Sequence, residues 1–555
     1  MIVPAHPQWI TRMYPGKVGR DHLGLGSVSS DQILPTLSPG INVLTIHPRY
    51  FSFYVFLLDE YWRRDLPRST AAFSRFYRPR ECIFSIGANL CDQPEHDRVT
   101  TIVGTQKTEG IARQTLPTYD PGFNYIKSEL GGYGLYYRSV MAELGVIYPG
   151  GPKPLPYPLD VPSERGKTLA AAFRRAIQST RYYRDYFDHP DQPVPREVVQ
   201  EYIHAACLCQ LQCEDAPDRK LLLDTFLHGG DAQAAAARRE TLCLFLDLAA
   251  QTDGSAVSQD AFRQLLLFGA EMGGATYTPQ ESVALTYRRW RLYQAREYYA
   301  FALNGLWWHL CDWGIAEQGD IRPLPIEALH EHIRLLLNFD SLAQQLGVAE
   351  PGLGPNASFA RLLSWLRSTV GANEAGFDAL CRLDAPIHEH RLYALAHDEV
   401  SNDPQIFVPA MLALLALTYL RFGMPPRWLE PDWPIAQMGA DGRLSLDGFV
   451  KSLHHRLTRQ ALTIADVARW LYDEYIIQQH LMIATSKLPE NTFRFQREGQ
   501  RLRFVNLYNS LQFNDSRFEA LSTTLHELGL CGDLQLAGHS LTADGAQLLS
   551  TGDLP

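Results

Sequence analysis

From Pro48 onward the chain carries a helical pattern of apolar positions. Pro48 suits a first helical turn, and Phe51, Val55, Leu58 and Trp62 recur at spacings of four, three and four, which predicts one buried stripe. A Gly/Ser/Pro-rich stretch, Gly24 to Gly40, precedes it. Pro and Gly crowd together again from Pro149 to Pro162, with Pro152, Pro154, Pro156 and Pro158 among them. After that, Leu169, Phe173, Ala176, Thr180, Tyr183 and Phe187 keep helical spacing. The pattern stays helical to about Gln479, broken at Asp188 to Pro195, Gly319 to Pro325, Glu350 to Asn356 and Gly423 to Trp433. Helices joined by short breaks predict a bundle or a stack of helix pairs. No fixed period is long enough to indicate a solenoid.

The tail changes character. Phe493 to Gln496 and Leu502 to Val505 alternate apolar and polar around Glu498-Gly499, which predicts a hairpin. Ser516 and Glu519 have capping-box spacing. They are expected to open a helix with Phe518, Leu521, Leu525 and Leu528 on one side, closed by Gly529.

One pattern occurs twice. Glu143-Leu144-Gly145-Val146 is followed by a loop and then by Ser163-Glu164-Arg165-Gly166-Lys167-Thr168-Leu169. Glu527-Leu528-Gly529-Leu530 is followed by a loop and then by Thr542-Ala543-Asp544-Gly545-Ala546-Gln547-Leu548. In each, a helix is expected to end at a glycine able to adopt the left-handed conformation, and a hydroxyl residue suited to capping starts the next helix. Helix, glycine, short wing and helix describe a winged-helix-like module. The predicted fold is therefore mainly α: a multi-domain helical bundle with small α+β winged-helix-like modules near the N-terminal third and at the C-terminus. The expected segments are a mixed region over 1–122, a winged-helix-like module over 123–187, a helical domain over 188–485, and a hairpin with a second module over 486–555.

Composition narrows the functional classes. With 555 residues, 46% hydrophobic, the chain can bury more than one core. A net charge of -10 argues against nucleic acid along the whole surface and leaves room for a local basic patch. Nine cysteines without a CxxC pair, including Cys82, Cys91, Cys243, Cys311, Cys381 and Cys531, give no disulfide framework. Buried reduced thiols in a cytoplasmic protein are expected. Met1 to Ile10, with Pro4 and Pro7, lacks the form of a signal peptide. The apolar run Ile406 to Leu420 contains Pro409 and falls short of the roughly 18–20 residues of a membrane span, so it is predicted to be a core helix, with no membrane partner.

No motif supports a catalytic residue, a cofactor or a metal. Gly166-Lys167-Thr168 resembles the end of a phosphate-binding loop, but Val161 stands where the first glycine is required. The Walker-B-like Val55 to Glu60 lies on the helical stripe. On a helix, His204 and Cys207 lie near one face and Cys209 and Cys213 roughly opposite, so core thiols are expected instead of a metal site. His388, His390, His397 and Asp398 have the composition of an HD-type phosphohydrolase site. His390 and His397 would nevertheless lie about 10 Å apart along a helix, and His330-Glu331-His332 shows that the string is not distinctive. Glu297, Asn304, Trp308 and Cys311 share one face of an aromatic helix, where a few buried polar groups are expected to fix register in a bundle. Neither a Gly-x-Ser-x-Gly elbow nor a dinucleotide fingerprint occurs.

The binding candidates are Lys487, Arg494, Arg497, Arg501 and Arg503. These five cations are opposed between 487 and 503 only by Glu490 and Glu498. Arginines on a hairpin beside a winged-helix-like unit suit phosphate contact.

Arg49-Tyr50-Phe51-Ser52-Phe53, preceded by Gly24-Leu25-Gly26 and Pro39-Gly40, resembles segments of uncharacterised prokaryotic proteins of anti-phage defence loci. So do Gly131-Gly132-Tyr133-Gly134-Leu135-Tyr136-Tyr137, Gln294-Ala295-Arg296-Glu297-Tyr298-Tyr299 and Leu306-Trp307-Trp308. The resemblance implies a context, a subunit of a bacterial system that acts on foreign DNA, and carries over no catalytic residue. The expected function is a non-enzymatic scaffold or recognition subunit that binds partner proteins of motor or nuclease type, together with DNA. The alternative is a divergent metal-dependent nuclease or phosphohydrolase built on His388 to Asp398.

Overall fold

Pro48 is the N-cap of the first long helix, α1 (Arg49–Arg63). Every residue of α1 from Arg49 to Tyr61 is buried, so the expected stripe is a helix enclosed on all sides. A computed structural model describes residues 21–151, 158–318, 322–373, 376–397, 403–423, 444–488, 490–505, 511 and 513–554. Met1 to Ile10, Pro152, Pro154, Pro156, Asp398 and most of the break from Gly423 to Trp433 lie outside the described residues. After α1 come α2 (Thr70–Ala88), α3 (Thr105–Ala112), β1 (Thr118–Tyr119), α4 (Arg138–Glu143), β2 (Ile147–Tyr148), β3 (Val161–Pro162) and α5 (Glu164–Ile177). Then follow β4 (Val194–Pro195), α6 (Arg196–Ala206), α7 (Arg219–His228), α8 (Ala232–Gln251), α9 (Ala284–Gln318), β5 (Leu324–Pro325) and α10 (Ile326–Leu336). The order ends with α11 (Glu389–His397), α12 (Pro404–Phe422), α13 (Ile464–Trp470), α14 (Gln479–Ser486), β6 (Phe495–Glu498), β7 (Arg501–Phe504), α15 (Phe518–Glu527) and α16 (Ala543–Thr551), with further helices between the named ones. The protein is mainly helical.

The chain forms two units, each discontinuous in sequence. One comprises Pro35–Phe262, Gly273–Arg288 and Asp515–Pro555; the other comprises Met1–Leu34, Arg263–Met272 and Arg289–Asn514. This division cuts across the sequence segments 188–485 and 486–555.

In the first unit α1 packs on α5, and α2 packs on α3 and α6. Aromatic rings fill the space around α1, with Phe53 stacked on Phe84 at 4.2 Å and Tyr137 5.0 Å from Tyr54. The glycines of Gly131-Gly132 bring backbone up to a buried carboxylate: the Gly132 N–H donates to Glu81, which also accepts from the Tyr54 and Tyr125 hydroxyls. Burial raises the Glu81 pKa above the usual carboxylate value.

Both copies of the repeated pattern lie in this unit and share one set of hydrogen bonds. Gly145 and Gly529 take φ of 66° and 75°. The following N–H, of Val146 or Leu530, reaches back to Met141 O at 2.8 Å or Leu525 O at 2.9 Å, which closes a Schellman-type helix end. Across the loop, Ser163 N donates to Val146 O at 3.0 Å and Thr542 N to Leu530 O at 3.1 Å. The Ser163 hydroxyl then caps α5 at Gly166 N, and the Thr542 hydroxyl caps α16 at Gly545 N. The loop is closed by the β2–β3 pair in the first copy and by a Cys531–Leu541 bridge in the second. The Ser516–Glu519 capping box does not form. Arg517, at φ 62°, is the N-cap of α15, and no side chain caps that helix. Phe518, Leu521, Leu525 and Leu528 are buried as expected.

In the second unit the apolar run predicted as a core helix is α12, started by the Asp403 side chain with Pro404 in the first turn. It reaches 19 residues, and 89% of its most apolar window is buried inside the protein. The helices α10 and α11 pack against it. Gly305 of α9 lets Met411 and Phe407 of α12 approach closely. The hairpin β6–β7 pairs with β5 in the order β5-β7-β6, all antiparallel. Phe504 lies directly over Gly314 of α9, where a methyl group would overlap its ring.

Candidate nucleic-acid interface and a buried thiol–imidazole cluster

Register decides which hairpin cations face outward. Phe495 pairs with Phe504, Gln496 with Arg503, Arg497 with Leu502 and Glu498 with Arg501. Side chains directly opposite share a face. One face therefore carries buried Phe495, Leu502 and Phe504 with Arg497 at its end, and the other carries Gln496, Glu498, Arg501 and Arg503. Arg497 is exposed at the turn, donating to Gly499 O at 2.9 Å and Gln500 Oε1 at 3.1 Å. Arg503 donates to Glu498 at 2.5 and 3.1 Å, an exposed pair worth about 0–1 kcal/mol. Arg501 is exposed.

Of the other two expected cations, Lys487 is buried and Arg494 half-buried. Lys487 is 8% exposed and its Nζ donates to Asp21 O at 2.6 Å; burial lowers its pKa. The Arg494 N–H donates to His480 Nε2 at 3.0 Å, beside the stacked His22 and Trp307 rings. Three of the five cations thus gather on the hairpin, Lys487 is buried against Asp21, and Arg494 is half-buried just before β6.

Among the described residues, His388, His390 and His397 do not converge on one point. The His388 ring meets Phe268 edge-on and its Nδ1 accepts from Arg391 N, while His390 Nδ1 lies 3.2 Å from the Tyr298 hydroxyl. Glu389, between them, forms a buried ion pair with Arg421. His397 is exposed against Tyr393. His330 pairs with Asp473, and His332 stacks on His309 and Trp313. On the aromatic helix α9, Glu297 is fully satisfied by Ser29 at 2.7 Å, Arg296 at 2.9 Å and Asn514 at 2.6 Å. Cys311 is buried, and the Trp308 ring meets Phe407.

Metal-ligand chemistry converges elsewhere, in the first unit. The helix α6 ends at Ala206 because Cys207 leaves helical conformation, at φ -55° and ψ 150°. The chain then turns through a single 3-10 segment, Leu208–Gln212. Cys207 and Cys209 therefore do not lie on one helix with His204 and Cys213, and the geometric objection to a metal there falls. Opposite them is the loop after α2, which carries Cys91 and, in the short 3-10 turn Pro94–Arg98, His96. The ligand atoms of Cys91, His96, Cys207 and Cys209 all lie within 4.8 Å of one another. Cys91 Sγ is 3.8 Å from Cys209 Sγ, and His96 Nδ1 is 3.2 Å from Cys207 Sγ. Hydrogen bonds from Cys207 and Cys209 lower the Cys91 pKa, while burial raises that of Cys207.

No protein-family model, curated protein or solved structure matches the chain.

His204 and Cys213, named in the sequence as possible partners, stay outside the cluster. His204 pairs with Asp92 at 2.9 Å, and Cys213 Sγ lies 3.9 Å from Gln210. Cys91 and His96 were not singled out as ligands, because their partners are more than a hundred positions away in the chain. The available signal was the pair of short spacings, Cys91-x4-His96 and Cys207-x-Cys209.

Proposed function

We propose that this chain is a non-enzymatic recognition subunit of a multiprotein assembly, touching nucleic-acid phosphate through the β6–β7 hairpin. The observation that carries this reading is the exposed set Arg497, Arg501 and Arg503 on a hairpin whose other face is anchored by Phe495, Leu502 and Phe504. The sheet order β5-β7-β6 supports it. A strand leads into a helix and a hairpin lies beside that strand, which is the layout of a winged-helix-like unit with the hairpin as wing. Its exposed ion pair, Arg503–Glu498, exchanges for phosphate at little cost. The repeated joints at Gly145 and Gly529 are wing-like loops suited to holding partner proteins. The assembly is assigned to bacterial defence against foreign DNA on the resemblance of the aromatic motifs, and its other subunits are of motor or nuclease type.

The test is salt-dependent binding to a fluorescent DNA duplex. Arg497→Ala with Arg501→Ala is expected to weaken binding and to flatten the slope of log K against log salt by about 1.8, near 0.9 for each phosphate no longer neutralised. An unchanged affinity and slope, or no binding by the native protein at low salt, overturns the reading.

A further inference from the structure

We propose that Cys91, His96, Cys207 and Cys209 form a closed, tetrahedral zinc-class site that staples the loop after α2 to the turn after α6. A tetrahedron of thiolates around zinc, with Zn–S near 2.3 Å, has edges of about 3.8 Å. The Cys91–Cys209 sulfur separation is 3.8 Å. Three sulfurs and one imidazole nitrogen, all within 4.8 Å of one another, form a Cys3His donor set, the soft and borderline ligands that select zinc over calcium or magnesium. Four protein ligands leave no position for water, so this site is structural and not hydrolytic.

The surroundings fit a held site. The two ligand-bearing segments are stitched together on both sides of the cluster: Gln93 Nε2 donates to His204 O at 3.2 Å, Gln210 to the Gln93 side chain, and Gln212 Nε2 to Glu95 O at 3.3 Å. Arg49, buried in α1, donates to Cys207 O at 2.5 Å and pairs with Asp218. That hydrogen bond fixes the Cys207 carbonyl, and with it the direction of the break that ends α6. Outer contacts of this kind orient ligands and raise affinity. The loop after α2 has no buried residue in its 3-10 turn, while the turn after α6 is packed through Leu208 and Leu211, so the metal would tie a loosely packed loop to a firmly packed turn far away in the chain. Gln93 and Glu95, which make the polar contacts on the side of the loop after α2, are not buried.

The experiment is elemental analysis of the full-length protein purified under reducing conditions, followed by replacement of the bound metal with Co(II). One zinc per chain and the visible d–d absorption of tetrahedral thiolate-bound Co(II) are expected. Cys91→Ser and Cys207→Ser should each lower zinc affinity at least tenfold, while Cys213→Ser and His204→Ala, which alter immediate neighbours, leave it unchanged. Chelation should open the stapled segments 89–101 and 207–218 to limited proteolysis, and added zinc should close them. If the ligand variants do not fold, the stoichiometry and Co(II) spectrum of the native protein decide the matter. Three results overturn the proposal: native protein that takes up no zinc under reducing conditions, metal content lost on Cys213→Ser, or an intact mass showing a Cys91–Cys209 disulfide with no metal bound.

Discussion

The repeated joint makes a prediction about sign. Gly545 lies in the first turn of α16, where alanine would ordinarily be favoured by up to about 1 kcal/mol. A Cβ there would lie 1.8 Å from Leu530 O and 2.9 Å from the carbonyl carbon. Both are backbone atoms in the loop that the helix packs against, so neither can rotate away. Restoring ordinary contact requires α16 to move outward by more than an ångström. That movement costs about 1–3 kcal/mol in overpacking and strains the 3.1 Å cap from Gly545 N to the Thr542 hydroxyl, worth about 1 kcal/mol. It also lifts Leu548, which is fully buried. Gly545→Ala should therefore destabilise by about 1–3 kcal/mol net of propensity. Gly166→Ala should do the same in the first copy, since its Cβ would lie 2.2 Å from Val146 O and 2.9 Å from Val55 Cγ2. Gly110 in α3 is the control: it is exposed with nothing within 4 Å, so Gly110→Ala should stabilise by about 0.5–1 kcal/mol. Urea denaturation followed by circular dichroism reads all three on one scale. Midpoints that rise alike in Gly545→Ala and Gly110→Ala would refute the close approach of helix and loop.

Two further predictions concern the second unit. Arg421 donates to both Glu389 oxygens, and each side chain is at most 4% exposed; Arg421→Met leaves that carboxylate buried and unpaired and should cost about 3–5 kcal/mol, part of which Arg421→Met with Glu389→Met restores. A double-mutant cycle checks it, and a double variant no more stable than the single one contradicts it. Burial holds His22 and His309 down to about 3, and His388 and His480 down to about 4, from 6.5. His480 Nδ1 donates to His22 O while its Nε2 accepts from Arg494 N, so protonation would set N–H against N–H. The unfolded chain therefore binds protons first as pH falls. Stability is full above about 6.5 and declines toward 4, by up to about 1.4 kcal/mol per pH unit for each histidine. Urea midpoints unchanged between pH 6.5 and 5 would exclude this.

Local signals in the sequence went far. The period of apolar residues gave the helices, Pro48 a helix start, Gly145 and Gly529 their left-handed helix ends, and Ser163 and Thr542 the caps that followed. The alternation around Gly499 gave the hairpin. All these are decided within a few residues, by hydrogen bonds a short segment makes with itself. What the sequence did not decide was which side chains meet. Ser516 had the right spacing to cap α15, but the chain enters that helix through a left-handed Arg517 instead. Lys487 belonged by charge to the basic patch, and packing buried it against Asp21. Cys207 and Cys209 were expected to be core thiols, because a continuing helix puts Cys209 and Cys213 opposite His204 and Cys207. A break after Ala206, held by the buried Arg49, brought Cys91 and His96 to them instead. Helical period is a property of neighbouring residues, but ligand geometry belongs to segments that meet only after the chain has folded.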